Sequence, residues 1–183
     1  DIVVYPGNAG GGIYCCGPAT RISLTHSVIQ GNSAKWGGGL HIDNYATAYI
    51  SECLIRDNAA LQYGGGLYTR FSNVWLTRCA IVENHGPLGG GGLMNQRYTV
   101  TAIDQCTFSG NVAADGGAIQ CAGYATAVVT NSILWGDSGG ELSTPSGYAT
   151  AMYSCVQGGY AGEGNISADP AFVNASAGDY NLA

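Results

Sequence analysis

Residues 76–93 read LTRCAIVENHGPLGGGGL, and this stretch contains the motif that sets the fold. Leu76, Cys79 and Ile81 lie eight, five and three residues before Asn84, and a glycine run ending in Leu93 follows. The same order recurs at spacings of 26, 26, 27 and 26 residues, in register with Asn32, Asn58, Asn84, Asn111 and Asp137. A period of this length indicates a solenoid in which each unit stacks on the next.

Two solenoid folds are compatible with the period. The spacing of Leu76, Cys79, Ile81 and Asn84 satisfies the leucine-rich-repeat consensus, whose return leg is a helix or compact turn. Here the return leg joins glycine runs, which oppose helix, to alternating Thr, Tyr, Val and Ile, which favour strand. We therefore predict an all-β, single-stranded parallel β-helix of about six coils, with about 26 residues per coil. Residues 1–159 form the repeats, starting with a strand at 1–5, and residues 160–183 form an irregular segment that caps the last coil.

The composition excludes several classes of function. Among 183 residues, 30 are Gly and only 10% are charged, and the net charge is −6. No basic cluster is present, which argues against nucleic acid or an anionic membrane as partner. No apolar run approaches the roughly 18 residues that a membrane span needs. The many small polar residues and tyrosines indicate an extracellular or cell-surface protein.

Two repeat positions are interpreted as structural ladders. The asparagines at 32, 58, 84 and 111 are expected at a sharp bend, because Asn tolerates left-handed backbone and its amide can bond the next coil. Cys53, Cys79 and Cys106 share one inward position, where stacked thiols stay reduced, because parallel stacking holds their Cβ atoms further apart than a disulfide prefers. The variable stretches after each asparagine, including 33–36 and 59–63, are predicted to be exposed loops.

Aromatic residues recur at a further repeat position. They follow each glycine corner and are expected to stack along one edge, at Tyr45, Phe71, Tyr98, Tyr124 and Tyr148. A purely structural ladder accounts for them, since each offset pair adds about 0.5–1.5 kcal/mol. Exposed, the same rings suit sugar faces or a partner surface. Tyr49 and Trp75 at outward positions, and Trp36 on a loop, extend this candidate contact surface.

A polar patch is the candidate for catalysis. The residue after each closing aliphatic is predicted to point outward, at Tyr14, His41, Tyr68, Met94 and Gln120. Asp43 and Arg70 lie two positions further on, so a patch of His41, Asp43, Tyr68 and Arg70 would span two coils. Hydrolysis of a glycosidic bond needs two carboxylates, whereas this column supplies only Asp43. The alternative is a solvated pair of surface charges.

Metal and cofactor sites are not expected in the repeats. There is no pair of Cys-x-x-Cys motifs, which argues against zinc. The only carboxylates that suggest Ca²⁺ lie in the tail, at Glu163, Asp169 and Asp179. We therefore predict no cofactor, with this tail as the one calcium candidate.

The repeat resembles a known family. Phe108-x-x-Asn111 followed by Gly116-Gly-Ala-Ile119 is similar to the paired motifs of chlamydial polymorphic outer-membrane proteins. The segments at 131–137, 153–159, 168–173 and 178–182 look like the closing part of bacterial, surface-anchored right-handed parallel β-helix proteins. The resemblance implies a right-handed coil and a secreted or surface-displayed protein, often an adhesin.

These observations predict a non-enzymatic, secreted structural or adhesive module. An N-terminal strand without a cap favours head-to-tail self-association into a filament. Other expected partners are a glycan or the surface of a host or neighbouring cell. The alternatives are a polysaccharide lyase or hydrolase using His41, Asp43 and Arg70, and a carbohydrate-binding module using the exposed rings.

Overall fold

The computed structural model describes residues 10–177 and 179–183, and it contains three parallel sheets of six strands each. Each coil contributes one strand to every sheet. The first sheet consists of β1 Ile13–Cys16, β5 Leu40–Asp43, β9 Leu67–Arg70, β12 Leu93–Gln96, β15 Ile119–Ala122 and β18 Leu142–Ser143. The second consists of β2 Arg21–Thr25, β6 Thr47–Ser51, β10 Asn73–Thr77, β13 Val100–Asp104, β16 Thr126–Thr130 and β19 Tyr148–Met152. The third consists of β3 Val28–Gln30, β7 Leu54–Arg56, β11 Ala80–Val82, β14 Thr107–Ser109, β17 Ile133–Trp135 and β20 Cys155–Val156.

The sheets enclose one apolar core along the axis. Pairing places Leu40 against Leu67 and Ile50 against Leu76, so like residues stack on like. Phe108 is fully buried in the same core. Burying one such side chain contributes about 1.5–3 kcal/mol, and only stacking of the coils achieves it.

The prediction of an all-β parallel β-helix of about six coils is confirmed. The return legs are strands, and no α-helix occurs in the described part of the chain, which excludes the leucine-rich horseshoe. The strand predicted at 1–5 lies outside the described residues.

The prediction of exposed loops at 33–36 and 59–63 is wrong. These stretches form paired strands, β4 Ser33–Trp36 and β8 Ala59–Tyr63, and single bridges continue the ladder through the next coils. Their backbone lies between two corners that are packed against neighbouring coils, so its polar groups must pair as well. The cross-section therefore has a short fourth side.

The left-handed bends lie one residue before the predicted asparagines. Positive φ falls on Asp57 (53°) and Glu83 (56°), which leaves the following asparagine side chain free to bond between coils. The next corner requires glycine for two reasons. Gly64 has a φ of 69°, and a Cβ on Gly65 would lie 2.5 Å from the backbone nitrogen of His85.

The C-terminal end departs from the repeat. The bond from the Cys106 N–H to the Ser132 hydroxyl spans 26 positions, but the equivalent bond from Ser132 to Ser154 spans only 22. Residues 160–168 lie along the edge of this shortened coil, where Val156 donates to the Ile166 carbonyl and Ile166 donates to that of Ser154.

The rest of the segment predicted as irregular forms a hairpin. Strands β21 Phe172–Asn174 and β22 Asp179–Leu182 are antiparallel and are joined through a 3₁₀ turn at Ala175–Ala177. The hairpin folds back along the solenoid, and the Tyr180 hydroxyl lies 3.4 Å from Glu83 Oε1.

Candidate functional site

Four aromatic side chains line the corner that follows the first sheet: Tyr45, Phe71, Tyr98 and Tyr124, here called the aromatic ridge. Their ring centroids are 5.9, 6.2 and 5.5 Å apart in succession, with interplanar angles of 31°, 23° and 13°. The three tyrosines are 63–65% exposed. The rings thus stack between coils, as the repeat suggested, and still present a large apolar surface to solvent.

The backbone of the aromatic ridge is left-handed, as it also is at the repeat position of His26, Glu52, Arg78 and Gln105. All four residues have positive φ, between 50° and 65°. Bulky side chains rarely occupy this region, which costs about 1–2 kcal/mol per residue and normally selects Gly or Asn. Because polar residues adopt the same backbone at the other corner, this conformation belongs to the coil geometry, and the exposure of the rings is what distinguishes the ridge.

Two shallow grooves flank the aromatic ridge and share Tyr98. One has a volume of about 380 Å³ and is lined by Tyr45, Phe71, Ser72, Asn73 and Tyr98. The other has a volume of about 320 Å³ and is lined by Gln96, Arg97, Tyr98, Ala122, Gly123, Tyr124 and Ser146. Apolar rings beside amides, hydroxyls and one guanidinium form a surface suited to a ligand with both apolar faces and hydroxyl groups.

Tyr148 does not belong to the aromatic ridge. Its tetrapeptide repeats that of Tyr124, but the shortened last coil shifts the register, so that Tyr148 pairs with Thr126 in the second sheet. The backbone partner of Tyr124 is Ser146. Tyr148 is exposed, but it makes no ring contact with Tyr124.

The other predicted aromatic residues fall into two places. Tyr49 and Trp75 stack at 4.8 Å and 17° on the outer face of the second sheet. Trp36 lies on strand β4, not on a loop, and its Nε1 donates to Gln62 Oε1 at 2.9 Å. The Lys35 Nζ sits 4.4 Å from the Trp36 ring centroid.

The predicted polar patch is a pocket of about 140 Å³, here called the His41 pocket. It brings together all four predicted residues and adds two aromatic walls, and its lining is Tyr14, Trp36, His41, Asp43, Tyr68 and Arg70. The His41 ring lies between those of Tyr14 and Tyr68, in edge contacts at 5.1 and 4.7 Å. The Tyr68 hydroxyl donates to Gln96 Oε1 at 2.6 Å.

His41 is buried, with 3% of its surface exposed. Neither ring nitrogen has a hydrogen-bond partner among the described residues, and Nε2 lies 3.8 Å from Asp43 Oδ2. Burial lowers the pKa of His41 to about 4 although the Asp43 carboxylate opposes the change, so the imidazole is neutral at pH 7.

The residues of this column point outward, as predicted, but His41 and three others are covered by neighbouring backbone and are not exposed. Tyr68, Met94 and Gln120 are buried like His41, although all of them point away from the core. The reason is the glycine corner before each strand, which folds back over the outer face. A Cβ on Gly64 would lie 2.8 Å from the Cβ of Tyr68.

The alternative of a solvated charge pair is wrong for the carboxylate, which is buried. Arg70 Nε and Nη2 donate to the two Asp43 carboxylate oxygens at 3.0 and 2.6 Å. The Asp43 side chain is only 6% exposed, whereas that of Arg70 is 41% exposed. A two-point bond of this kind fixes both groups and neutralises the carboxylate.

The asparagine position forms a continuous hydrogen-bond ladder inside the corner. Asn84 Oδ1 accepts from the backbone and side-chain amides of Asn58, at 3.1 and 3.0 Å. Asn84 Nδ2 donates to the Ile55 carbonyl and to Asn111 Oδ1, at 2.9 and 3.0 Å. The ladder runs through Asn32, Asn58, Asn84, Asn111 and Asp137. These contacts account for the asparagines structurally.

The end of the ladder carries a carboxyl pair that the sequence interpretation missed. Asp137 Oδ1 accepts two bonds from Asn111, both of 2.7 Å, and its N–H donates to Glu141 Oε1 at 3.3 Å. The other carboxyl oxygens, Asp137 Oδ2 and Glu141 Oε2, are buried and receive no bond from an N–H or hydroxyl donor, so the two carboxyl groups can bond each other only when one of them is protonated. Burial raises the pKa of both groups. The replacement of Asn by Asp at the fifth rung was the available signal.

The core contains thiols and one polar cluster. Cys53, Cys79 and Cys106 are buried at one inward position, and all seven cysteines are free. Asn95 was not predicted: its Oδ1 accepts from the hydroxyls of Thr69 and Thr101 at 2.7 and 2.8 Å. Counting two residues on from each closing aliphatic would have placed Thr69 and Asn95 inside.

The tail carboxylates considered for Ca²⁺ make local contacts. Asp169 accepts from the Ala171 N–H, and Asp179 accepts from the backbone and side chain of Asn181. Within residues 10–177 and 179–183, no three His, Cys, Asp or Glu side chains come together as a metal site. A larger groove of about 530 Å³ lies between the hairpin and the solenoid, with Trp135, Phe172 and Tyr180 among its lining residues.

Comparison with known proteins identifies the architecture. The family model described as right handed beta helix region matches residues 4–152, which is most of the chain. No curated protein and no solved structure matches the chain significantly. In the part that the structure describes, no helix is long and apolar enough to cross a membrane.

Proposed function

Because the chain belongs to the right-handed β-helix family, we propose that it is a non-enzymatic, extracellular adhesive module that binds glycans through the aromatic ridge. The family fixes the architecture and leaves the activity open, since one fold carries many functions. The proposal therefore depends on the surface of this chain.

The aromatic ridge is the observation that carries the proposal. A stack of rings needed only for stability would not have to be 63–65% exposed at its tyrosines. Rings with neighbouring amides and hydroxyls match the alternating C–H faces and hydroxyl groups of a sugar chain.

The composition supports an extracellular location. Charged residues make up only 10% of the chain, and 12 of its residues are tyrosines. A low charge with no basic cluster suits contact with neutral polymers better than contact with nucleic acid.

The His41 pocket supports binding better than catalysis. A glycosidase needs two carboxylates, and the described lining of this pocket has one. That carboxylate, Asp43, accepts two bonds from Arg70, and His41 is enclosed by two tyrosines. Neither group is placed to exchange a proton with a bulky polymer.

Head-to-tail self-association has less support than glycan binding. The edge of the last coil, where a second copy would pair, is partly occupied by the chain's own tail. The Tyr160 hydroxyl donates to the Ala149 carbonyl, Asn165 Nδ2 donates to that of Ala151, and Val156 pairs with Ile166.

Retention on immobilised neutral polysaccharides tests the proposal. We expect the wild type to be retained and Tyr98→Asn, at the centre of the ridge, to bind about tenfold more weakly, as loss of one aromatic contact predicts. Asparagine is chosen because it tolerates the positive φ of this position. Tyr148→Ser is the matched control, because Tyr148 is equally exposed but lies outside the ridge.

Two results would contradict the proposal. One is a wild-type protein that no neutral polysaccharide retains. The other is an equal loss of retention in Tyr98→Asn and Tyr148→Ser, which would show that the ridge has no special part.

A further inference from the structure

The groove of about 530 Å³ between the C-terminal hairpin and the solenoid, here called the hairpin groove, has no part in the proposed function. The corner after the third sheet forms one side of it and contributes Glu83 and Trp135. The tail forms the other side and contributes Asp169, Phe172 and Tyr180. The volume of the hairpin groove lies within the roughly 300–1,000 Å³ that is typical of small-ligand sites.

Glycines leave the floor of the hairpin groove open. Gly110 and Gly136 occupy the left-handed corner position that Asp57 and Glu83 hold in the preceding coils. A Cβ on Gly110 would lie 3.5 Å from Glu83 Cγ and 3.7 Å from the Tyr180 hydroxyl oxygen, in contact with both sides of the groove. A longer side chain at this position would therefore extend into the space that the groove provides.

The walls of the hairpin groove are aromatic. Phe172 and Tyr180 lie on the two strands of the hairpin, with ring centroids 5.4 Å apart at an angle of 86°. Trp135 ends β17 on the solenoid side, and all three side chains are partly exposed. Aromatic rings pack against an apolar stem, and their faces attract cations.

Carboxylates give the hairpin groove a negative charge. Glu83 Oε1 accepts from the Tyr180 hydroxyl at 3.4 Å and Asp169 Oδ1 accepts from the Ala171 N–H at 2.8 Å, so each carboxylate keeps an oxygen that no donor among the described residues bonds. Burial and the charge of Glu83 raise the pKa of Tyr180 to about 12. In the described part of the chain, no Lys or Arg lines the groove. The groove therefore attracts a cation without offering one of its own.

The combination of rings and carboxylates favours an organic cation over a metal ion. Ca²⁺ takes about six to eight oxygen ligands, whereas Glu83 and Asp169 are the only carboxylates among the described lining residues. An arginine side chain has an apolar stem and a planar cation that stacks on rings and bonds a carboxylate at two points.

We propose that the hairpin groove binds an arginine side chain from an exposed segment of a partner protein. The stem packs against Trp135 and Phe172, and the guanidinium pairs with the unbonded oxygens of Glu83 or Asp169. This site lies at a different corner of the coil from the aromatic ridge, so the inference does not rest on glycan binding.

Titration of the full chain with a short peptide tests this inference. The probe is acetyl-Gly-Arg-Gly-amide at low ionic strength, and its matched control contains citrulline, which keeps the shape of arginine without its charge. Binding is followed through the ¹H–¹⁵N signals of the three tryptophan indoles, of which only that of Trp135 lies in the groove. We expect the Trp135 signal alone to shift, with a dissociation constant in the millimolar range. The citrulline peptide should bind about fivefold more weakly.

Variants of the carboxylates locate the binding site. Glu83→Gln and Asp169→Asn each remove one charge and keep an oxygen for the existing contact with Tyr180 or Ala171. We expect each variant to bind the arginine peptide about two- to fivefold more weakly, and the double variant to bind it more weakly still. Asp57→Asn is the matched control, because Asp57 holds the same corner position one coil before Glu83 but lies outside the groove. It should bind as the wild type does.

Three results would overturn the assignment of the hairpin groove. They are no shift of the Trp135 signal at millimolar peptide, equal affinity of the wild type for the arginine and citrulline peptides, and an equal loss of affinity in Asp57→Asn and Glu83→Gln. Tyr98→Asn leaves this groove intact and should bind the peptide normally. Failure of glycan retention and failure of peptide binding are therefore separate outcomes.

Discussion

The asparagine ladder is complete in its middle and incomplete at its C-terminal end. Asn84 accepts two hydrogen bonds and donates two, all between 2.9 and 3.1 Å. At the end, Asp137 accepts two bonds from Asn111, but its second carboxyl oxygen and that of Glu141 receive no N–H or hydroxyl donor and can pair only through a shared proton.

The difference shows that a buried polar group in a stacked repeat finds its hydrogen-bond partners in the neighbouring coils. Each asparagine is satisfied by identical groups one coil away on both sides. The last coil is shorter and offers no matching asparagine, and the chain has the carboxyl group of Asp137 at this position in place of an amide. His41 shows the same limit elsewhere, because its neighbours at that position are Tyr14 and Tyr68, and its ring nitrogens find no partner in either.

The largest loss of stability is expected when a middle asparagine of the ladder is replaced. We expect Asn84→Leu to lower the free energy of unfolding by about 3–5 kcal/mol, because the Asn58 backbone N–H, one of its two side-chain N–H groups and the Ile55 carbonyl would lose the partner that Asn84 supplies. Urea unfolding measures the loss. Asn73→Ala, an exposed asparagine on β10, is the control and should change stability by less than about 0.5 kcal/mol. A loss below about 1 kcal/mol in Asn84→Leu would mean that the ladder is not a main source of stability.

The pH dependence of His41 gives the next largest effect. Its folded pKa of about 4 is below the ordinary value of 6.5. The neutral His41 side chain therefore makes its full contribution to the free energy of unfolding above pH 6.5. This contribution is lost as the pH falls towards 4, by at most about 3 kcal/mol. We expect the stability of the wild type to fall over this window relative to His41→Phe, measured by urea unfolding at a series of pH values. Parallel pH profiles of the two proteins would contradict a buried neutral imidazole.

The fold was predictable because its determinants repeat. Each repeat gives the same evidence for the coil, through an apolar column at Leu40, Leu67 and Leu93 and the asparagines between them. One ambiguous residue therefore does not change the predicted fold. Parallel pairing in register then follows from the constant spacing. The same reasoning grouped His41, Asp43, Tyr68 and Arg70 correctly across neighbouring coils.

The site was less predictable because it depends on departures from the repeat. Alternation along a strand says that His41 and Asp43 point away from the core, but not that the preceding glycine corner covers them. The matching tetrapeptides at Tyr124 and Tyr148 suggested one column, whereas the short last coil separates them by two positions of register. Shortening of a coil has no local sequence signature.

Asp137→Asn gives the last rung of the ladder the same side chain as a middle rung, and so tests whether the carboxyl group accounts for the difference between them. The raised pKa values of Asp137 and Glu141 mean that the folded state holds protons to higher pH than the unfolded state does. The contribution of this pair is present at low pH and is lost as the pH rises from about 4 through the raised values. We expect Asp137→Asn to be about as stable as the wild type near pH 4 and about 1–2 kcal/mol more stable near pH 8.

Thermal unfolding at both pH values measures the Asp137→Asn effect, with Asp57→Asn as the exposed-carboxyl control. Equal stabilisation at pH 4 and pH 8 would show that the carboxyl is ionised across the whole range.

The smallest effect on stability is expected at the aromatic ridge, where two contributions oppose each other. Tyr98→Asn removes stacking with Phe71 and Tyr124, about 0.5–1.5 kcal/mol for each pair, and relieves a bulky residue at φ 57°, worth about 1–2 kcal/mol. We expect the melting temperature to change by only a few degrees while polysaccharide retention falls. A large loss of stability with unchanged retention would instead make the ridge a structural ladder, equivalent in role to the middle of the asparagine ladder.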